Sequence, residues 1–297
     1  VSTIHDLGYQ RYAGVRRHSS TRWRVIMRHQ IAMAWKTWWR FKAWLGMAVL
    51  VTFIAGAVMY IFSNRTFHGM RGIGGVALLV EDVALPESIG WYCRAAFLTS
   101  LTLGAIEIAG DLQSGAFTFY FARSVRARDY VLGKLAGLGA IMGIITLVGP
   151  VLLAALRLGL CDPTSDLVDH LVLLPKALLV GALATLAYTA VPLGFSALAD
   201  NRRTALAMWA AYYLIGGTVA FLIGRISHAQ SISALYLPNA IEGIATRLFG
   251  VSLFGTTMSG PSIAACVTSL VVQSAAAIAI LAVSIDRAQK TGVGGAT

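Results

Sequence analysis

Residues 107–134 read EIAGDLQSGAFTFYFARSVRARDYVLGK, with one apolar run before them and another after. Asp111 and Gly115 precede a knot of aromatic residues, Phe117, Phe119, Tyr120 and Phe121. Arg123, Arg126 and Arg128 follow, and Gly133 and Lys134 close the stretch. A basic segment between two apolar runs has the pattern of a short loop joining two membrane spans, and such loops stay on the cytoplasmic side. It is also the natural place for an outside component to take hold of the chain.

Working outward, the flanking runs are two of several. The chain has 297 residues, is 57% hydrophobic and carries only 12% charged residues, about half the charged fraction of an ordinary soluble domain. Its mean hydropathy is +0.70. Apolar runs of about 20 residues, the length that crosses about 30 Å of hydrocarbon, recur along it. They are continuous rather than alternating, which excludes a transmembrane barrel. Six spans are expected, near residues 43–62, 89–109, 130–156, 171–198, 204–223 and 263–285. The fold class is an all-α membrane protein, with a six-span domain over residues 43–290 and a short flexible tail at 291–297.

Six spans place both termini on one side, and the basic residues choose which. Nine of the 24 lysines and arginines precede the first span, four lie in the central stretch, two in the turn at Asp200–Arg203 and two after the sixth span. That puts 17 on the side of the termini against seven on the other, where seven acidic residues balance them. The termini are therefore expected in the cytoplasm. The net charge of +11 reflects membrane orientation, and nucleic acid is not an expected partner, because no basic folded domain exists to carry it. The first 20 residues are polar and basic, unlike a cleavable signal peptide, so the first span is expected to direct insertion.

Before that span, residues 1–22 read as a cytoplasmic tail and residues 23–42 as an amphipathic helix. At helical spacing Trp23, Ile26, Met27, Ile31, Ala34, Trp38 and Phe41 share one face, with Arg28, His29, Lys36 and Arg40 opposite. Such a helix lies in the interface with membrane lipid; packing on a partner is the alternative. In the third span Gly133, Gly137, Gly139 and Gly143 form two small-xxx-small registers suited to close helix contact, and Pro150 is expected to kink its outer half. The apolar run at 72–80 is too short to span and is expected to dip into the outer interface. Residues 235–254, interrupted by Pro238, are expected to form short helices on the outer face.

The chemistry that is missing narrows the function. No GxxxxGK[ST] loop exists to hold ATP; Arg128 stands where the first glycine would be needed ahead of Gly133-Lys134. There is no HExxH and no GxSxG elbow, and Cys93, Cys161 and Cys266 form no CxxC pair. Charges deep in the spans, the mark of an ion relay, are few: Glu107 and Asp111 near one end, Arg157 and Lys176 near the other. The chain is not expected to be an enzyme or to hold a cofactor or metal.

The central stretch resembles the ABC-2 permeases, the membrane subunits of type V ABC exporters. In that family a glutamate precedes a Gly-Thr pair by four residues, an apolar segment and an Arg-Pro-Val-x-Arg-like run follow, and Gly-Lys opens the third span. Here Asp111 takes the place of the glutamate ahead of Gly115, and Ala116 that of the threonine. Arg123-Ser124-Val125-Arg126 forms the basic run with serine for proline, and Gly133-Lys134 matches. The resemblance implies that Asp111, Gly115, Phe117, Phe119, Tyr120, Arg123, Arg126, Arg128 and Lys134 form a coupling element seated on a separate ABC ATPase subunit. Two copies of that subunit would carry the ATP and magnesium. Arg202 and Arg203 would make a secondary cytoplasmic contact, and Tyr212, Tyr213 and Thr218 would face the pathway. A second permease chain would complete a dimer in a prokaryotic inner or plasma membrane, with an extracytoplasmic accessory protein as a candidate further partner.

Each of these residues also has a plainer role open to it. The arginines can serve as topology determinants, the aromatics as interfacial anchors, Asp111 as a helix cap and Glu107 as a structural charge. The function has alternatives too: mechanical transmission to an outside partner, an ATP-independent carrier or channel, or a membrane-embedded enzyme or assembly factor.

Overall fold

A computed structural model of the chain describes residues 21–36, 41–63, 81–122, 125–160, 171–227, 230–250 and 261–291. Among them every regular element is helical. Six helices are long and apolar enough to cross a membrane: Ala43–Ile61, Val83–Gln113, Ala127–Gly159, Leu173–Leu198, Arg202–Ile226 and Ile263–Lys290. The all-α, six-span architecture expected from the apolar runs is the one observed. Hydrocarbon offers backbone groups no hydrogen-bond partner, so each apolar run must bond its own backbone by coiling.

In chain order the elements are α1 (Arg22–Lys36), α2 (Ala43–Ser63), α3 (Glu81–Thr99), α4 (Glu107–Gln113), α5 (Ala116–Ala122), α6 (Ala127–Gly143), α7 (Gly149–Gly159), α8 (Leu173–Leu198), α9 (Arg202–Ile226), α10 (Leu237–Phe249) and α11 (Ile263–Thr291). The second span comprises α3 and α4, joined through a wide π-helical turn at Ser100–Gly104. The third comprises α6 and α7, joined by another at Ile144–Val148. Pro150 lies in the first turn of α7 directly after that wide turn, where a missing N–H is least costly. Pro192 lies inside α8, which stays continuous.

The fourth span is the centre of the bundle. Ala177, Val180, Gly181, Ala184, Ala187, Tyr188 and Leu193 of α8 are buried, and α6, α7 and α11 pack around it. The first and fifth spans lie at the margin and are mostly exposed.

The two glycine registers of the third span serve two different neighbours. A Cβ at Gly133 would stand 2.7 Å from Ile26 Cβ, and one at Gly137 would stand 2.4 Å from Gln30 Oε1, so this register receives α1. Gly139 and Gly143 face Thr189 and Thr185 of α8 instead. The helix expected at residues 23–42 thus spends part of its apolar face on the protein: Ile26, Gln30 and Ala34 are buried against α6, while Arg24, Arg28, His29 and Lys36 stay exposed.

Between the fifth and sixth spans a 3-10 turn, Gln230–Leu235, leads into α10. Leu237, Ala240, Ile241, Ile244 and Ala245 form its buried stripe, at the spacing of an amphipathic helix. Pro238, read from the sequence as a breaker, instead occupies the first turn of α10, where its fixed φ favours helix. Gly250 ends the helix with φ +71, the left-handed cap that glycine accepts without strain. Residues 1–20, Trp38, Trp39, Arg40, the 72–80 run, Cys161, the acidic loop after it, Arg123 and the 292–297 tail lie outside the described residues.

Candidate functional site

The stretch at 107–134 folds into a bend of α4, α5 and the start of α6. Gly115, with φ +65, makes the corner between α4 and α5; that conformation favours glycine. The N-terminus of α4 has no cap of its own, since Ile106 stands at the capping position. The orphan N–H groups of Ile108 and Ala109 donate instead to Ser196 Oγ of α8, both at 3.0 Å. The N-terminus of α6 is served by two elements. Asp129 Oδ2 accepts from the Arg126 N–H at 3.4 Å, and Gln289 Oε1 of α11 accepts from the Ala127 N–H at 3.1 Å. Gln113 Oε1 accepts from the Arg202 N–H at 3.4 Å. The bend, the 200–203 turn and the end of α11 therefore meet at one end of the bundle.

At the root of the bend is a buried charge cluster. Lys134 is 4% exposed. Its Nζ lies 2.5 Å from Glu107 Oε1 and 2.8 Å from Asp111 Oδ2. The Tyr130 hydroxyl donates to Asp111 Oδ2 at 2.5 Å. One turn of α4 separates the two carboxylates, which places both on the face that meets α6. An ammonium between two carboxylates is stable here because each partner neutralises charge that burial would otherwise penalise. Asp111 is thus an interior partner within α4 rather than a helix cap.

Above the cluster the aromatic residues divide. Phe117 is fully buried, stacked on Phe121 and edge-on to Tyr130. Tyr120 packs against Tyr130 at 5.4 Å between ring centres. Burial first, and then the negative charge of Asp111, raise the Tyr120 phenol above its ordinary range and keep it protonated. Phe119 points the other way and is 77% exposed. Arg126 and Arg128 are exposed on the flank of α6. The expected coupling residues therefore form two sets. Asp111, Phe117, Tyr120 and Lys134 hold the bend together, whereas Phe119, Arg126 and Arg128 face outward.

Arg202 folds back over α4, so close that a Cβ at Gly110 would meet its Nε at 2.5 Å. Arg203 joins it in a polar recess with Gln113, Ser114 and Asn201. Tyr212 and Tyr213 belong to an aromatic group around the fully buried Trp209. Trp209 stacks on Tyr212 and donates from Nε1 to Ser100 Oγ at 3.0 Å. Tyr213 stacks on Phe97, and Tyr212 donates to Gln273 Oε1 at 2.8 Å. Thr218 is exposed on α9 and lies outside this group.

Sequence reasoning missed the partnership of Lys134 with Glu107 and Asp111. The signal was present: two carboxylates four residues apart, and a lone lysine inside an apolar run. It also missed Ser196, which no local pattern marks.

The described residues contain no cluster of three or more histidine, cysteine or acidic side chains able to hold a metal ion. No curated protein matches the chain. A family profile described as ABC-2 family transporter protein matches residues 35–229, from the end of α1 through the whole of α9. With more than half of the sequence matched and six membrane-length helices, the chain belongs to the ABC-2 family of transporter proteins, as a multi-pass permease subunit of an ABC transporter.

Proposed function

We propose that this permease couples ATP hydrolysis on a separate nucleotide-binding subunit to export across a prokaryotic inner or plasma membrane. The bend at 107–134 lies on the cytoplasmic side, together with both termini, and is the part the ATPase grips. Two ATPase subunits hold the ATP and magnesium, and two permease chains form the pathway between them.

One observation carries this reading: the bend has an exposed tip on a rigid root. Phe119 is 77% exposed and Arg126 and Arg128 are exposed at the start of α6, while Lys134 ties α4 to α6. Aromatic residues and arginine are the types enriched at protein–protein contacts, and the bend exposes both. A push on that tip is not absorbed locally, because packed elements move as rigid bodies. Ser196 carries the same motion into the central span through its two bonds to α4.

The test is co-purification with transport. Phe119→Ala combined with Arg126→Glu and Arg128→Glu is expected to release the ATPase chain and abolish ATP-dependent export, with the permease still folded and inserted. If the triple variant retains its ATPase and transports normally, the coupling assignment is wrong.

A further inference from the structure

A crevice of about 380 Å³ runs between α2 and α3 along the middle of α2. Its α2 wall includes Met47, Leu50, Val51, Ile54, Ala55 and Val58, spanning roughly 16 Å along the helix at 1.5 Å per residue. The wall formed by α3 is different. Glu87 and Trp91 line the crevice, and Arg94 follows at the next helical step, so Glu87, Trp91 and Arg94 stand at i, i+4 and i+7 on one side of α3. All three are exposed. The Arg94 guanidinium lies over the Trp91 ring at 4.3 Å. Among the described residues Glu87 forms no ion pair. An unpaired carboxylate on a membrane-spanning helix calls for a polar partner, since hydrocarbon supplies none, and Arg94, which feels the Glu242 carboxyl of α10, keeps an exposed guanidinium.

The geometry points to this crevice as the seat of one zwitterionic aminophospholipid drawn from the surrounding bilayer. An acyl chain lies along the α2 wall toward Met47. The phosphate meets Arg94, whose planar donor fork suits phosphate oxygens. The primary ammonium donates to the Glu87 carboxylate, nearer the start of α3. Other headgroups fit less well. An anionic head without an amine leaves Glu87 unpaired and repelled. A cationic amphiphile is repelled by Arg94. A quaternary ammonium has no N–H to give Glu87, and Arg94 already covers a face of Trp91 that would otherwise attract it. This assignment needs only a membrane-spanning chain, so it stands or falls apart from the coupling of the bend to ATP.

The experiment is native mass spectrometry on the delipidated full chain. The probe is an equimolar mixture of phosphatidylethanolamine, phosphatidylcholine and phosphatidylglycerol with identical acyl chains. Phosphatidylethanolamine is expected to be retained about tenfold over the other two, the size of one charge-assisted contact. Glu87→Gln should bring that preference to near parity. Ala55→Phe, which fills the crevice, should reduce retention of all three. Arg94→Gln gives an independent arm in case Glu87→Gln unfolds: it removes the phosphate contact and should lower retention of all three lipids. Equal retention of the three lipids by the unaltered chain, an ethanolamine preference that survives in folded Glu87→Gln, or undiminished retention by folded Arg94→Gln or Ala55→Phe would overturn the assignment.

Discussion

At the scale of single residues, Lys134 controls the bend, because it is the only cation within ion-pair reach of both Glu107 and Asp111 among the described residues. Lys134→Met strands two carboxylates whose side chains are 25% and 20% exposed, so the cost falls below the roughly 3–5 kcal/mol of a fully buried pair. The expected outcome is a marked fall in the melting temperature of the purified chain. Adding Glu107→Gln and Asp111→Asn should recover most of that loss, because the three substitutions act on one network. A second residue makes a pH-dependent prediction. Burial holds the Glu242 carboxyl above the usual 4.5; Arg94 opposes the shift and Glu87 adds to it. Tyr236 and Cys93 also feel its charge. A carboxyl raised in the folded state binds its proton more tightly there than in the unfolded chain. Its contribution is therefore complete at low pH and declines as the pH rises from 4.5 through the folded value. The slope is no steeper than about 1.4 kcal/mol per pH unit for one proton. Glu242→Gln should flatten that part of a melting-temperature profile against pH; an unchanged slope would assign it to other groups.

At the scale of elements, close contact is set by the glycine registers. A Cβ at Gly133 would meet the Ile26 side chain and the Trp23 carbonyl oxygen at 2.9 Å or less. Backbone cannot step aside as a flexible side chain can. Gly133→Val is therefore expected to lift α1 from α6 at a cost of about 1–3 kcal/mol. In hydrogen-exchange mass spectrometry residues 22–36 should exchange faster while α8 keeps its protection. These registers were legible in the sequence because small residues four apart on an apolar helix have few other uses. The spans were legible for a similar reason: the length of an apolar run is a local property, and the bilayer fixes it. The root of the bend was less so. Lys134 and Glu107 are 27 positions apart, and Ser196 reaches its two partners across 88 and 87 positions. Contacts at such separations follow from helix packing, which periodicity does not encode. Pro238 shows the limit of a residue-type rule: the same ring that breaks a helix interior starts one when it falls in the first turn.

At the scale of the whole molecule, burial is uneven. The fourth span is enclosed, while the first and fifth present most of their surface outward. The three segments that meet at one end, including the bend, are those the charge asymmetry assigns to the cytoplasm. Single cysteines placed in a background without the native three test the orientation directly. Ser114→Cys, exposed beside the bend, and Ser231→Cys, exposed in the turn before α10, should react with a membrane-impermeant maleimide from opposite faces, Ser114→Cys from inside. Labelling of Ser114→Cys from outside intact cells would invert the topology and remove the bend from any cytoplasmic motor. The enclosure of Lys134 also has a use in following motion. Acylating reagents readily find an amine such as Lys290, whose side chain is 75% exposed, but an amine walled in by two carboxylates is chemically silent while its surroundings stay closed. Each acyl group found on Lys134 would then be a tally mark for one moment at which the bend had come open.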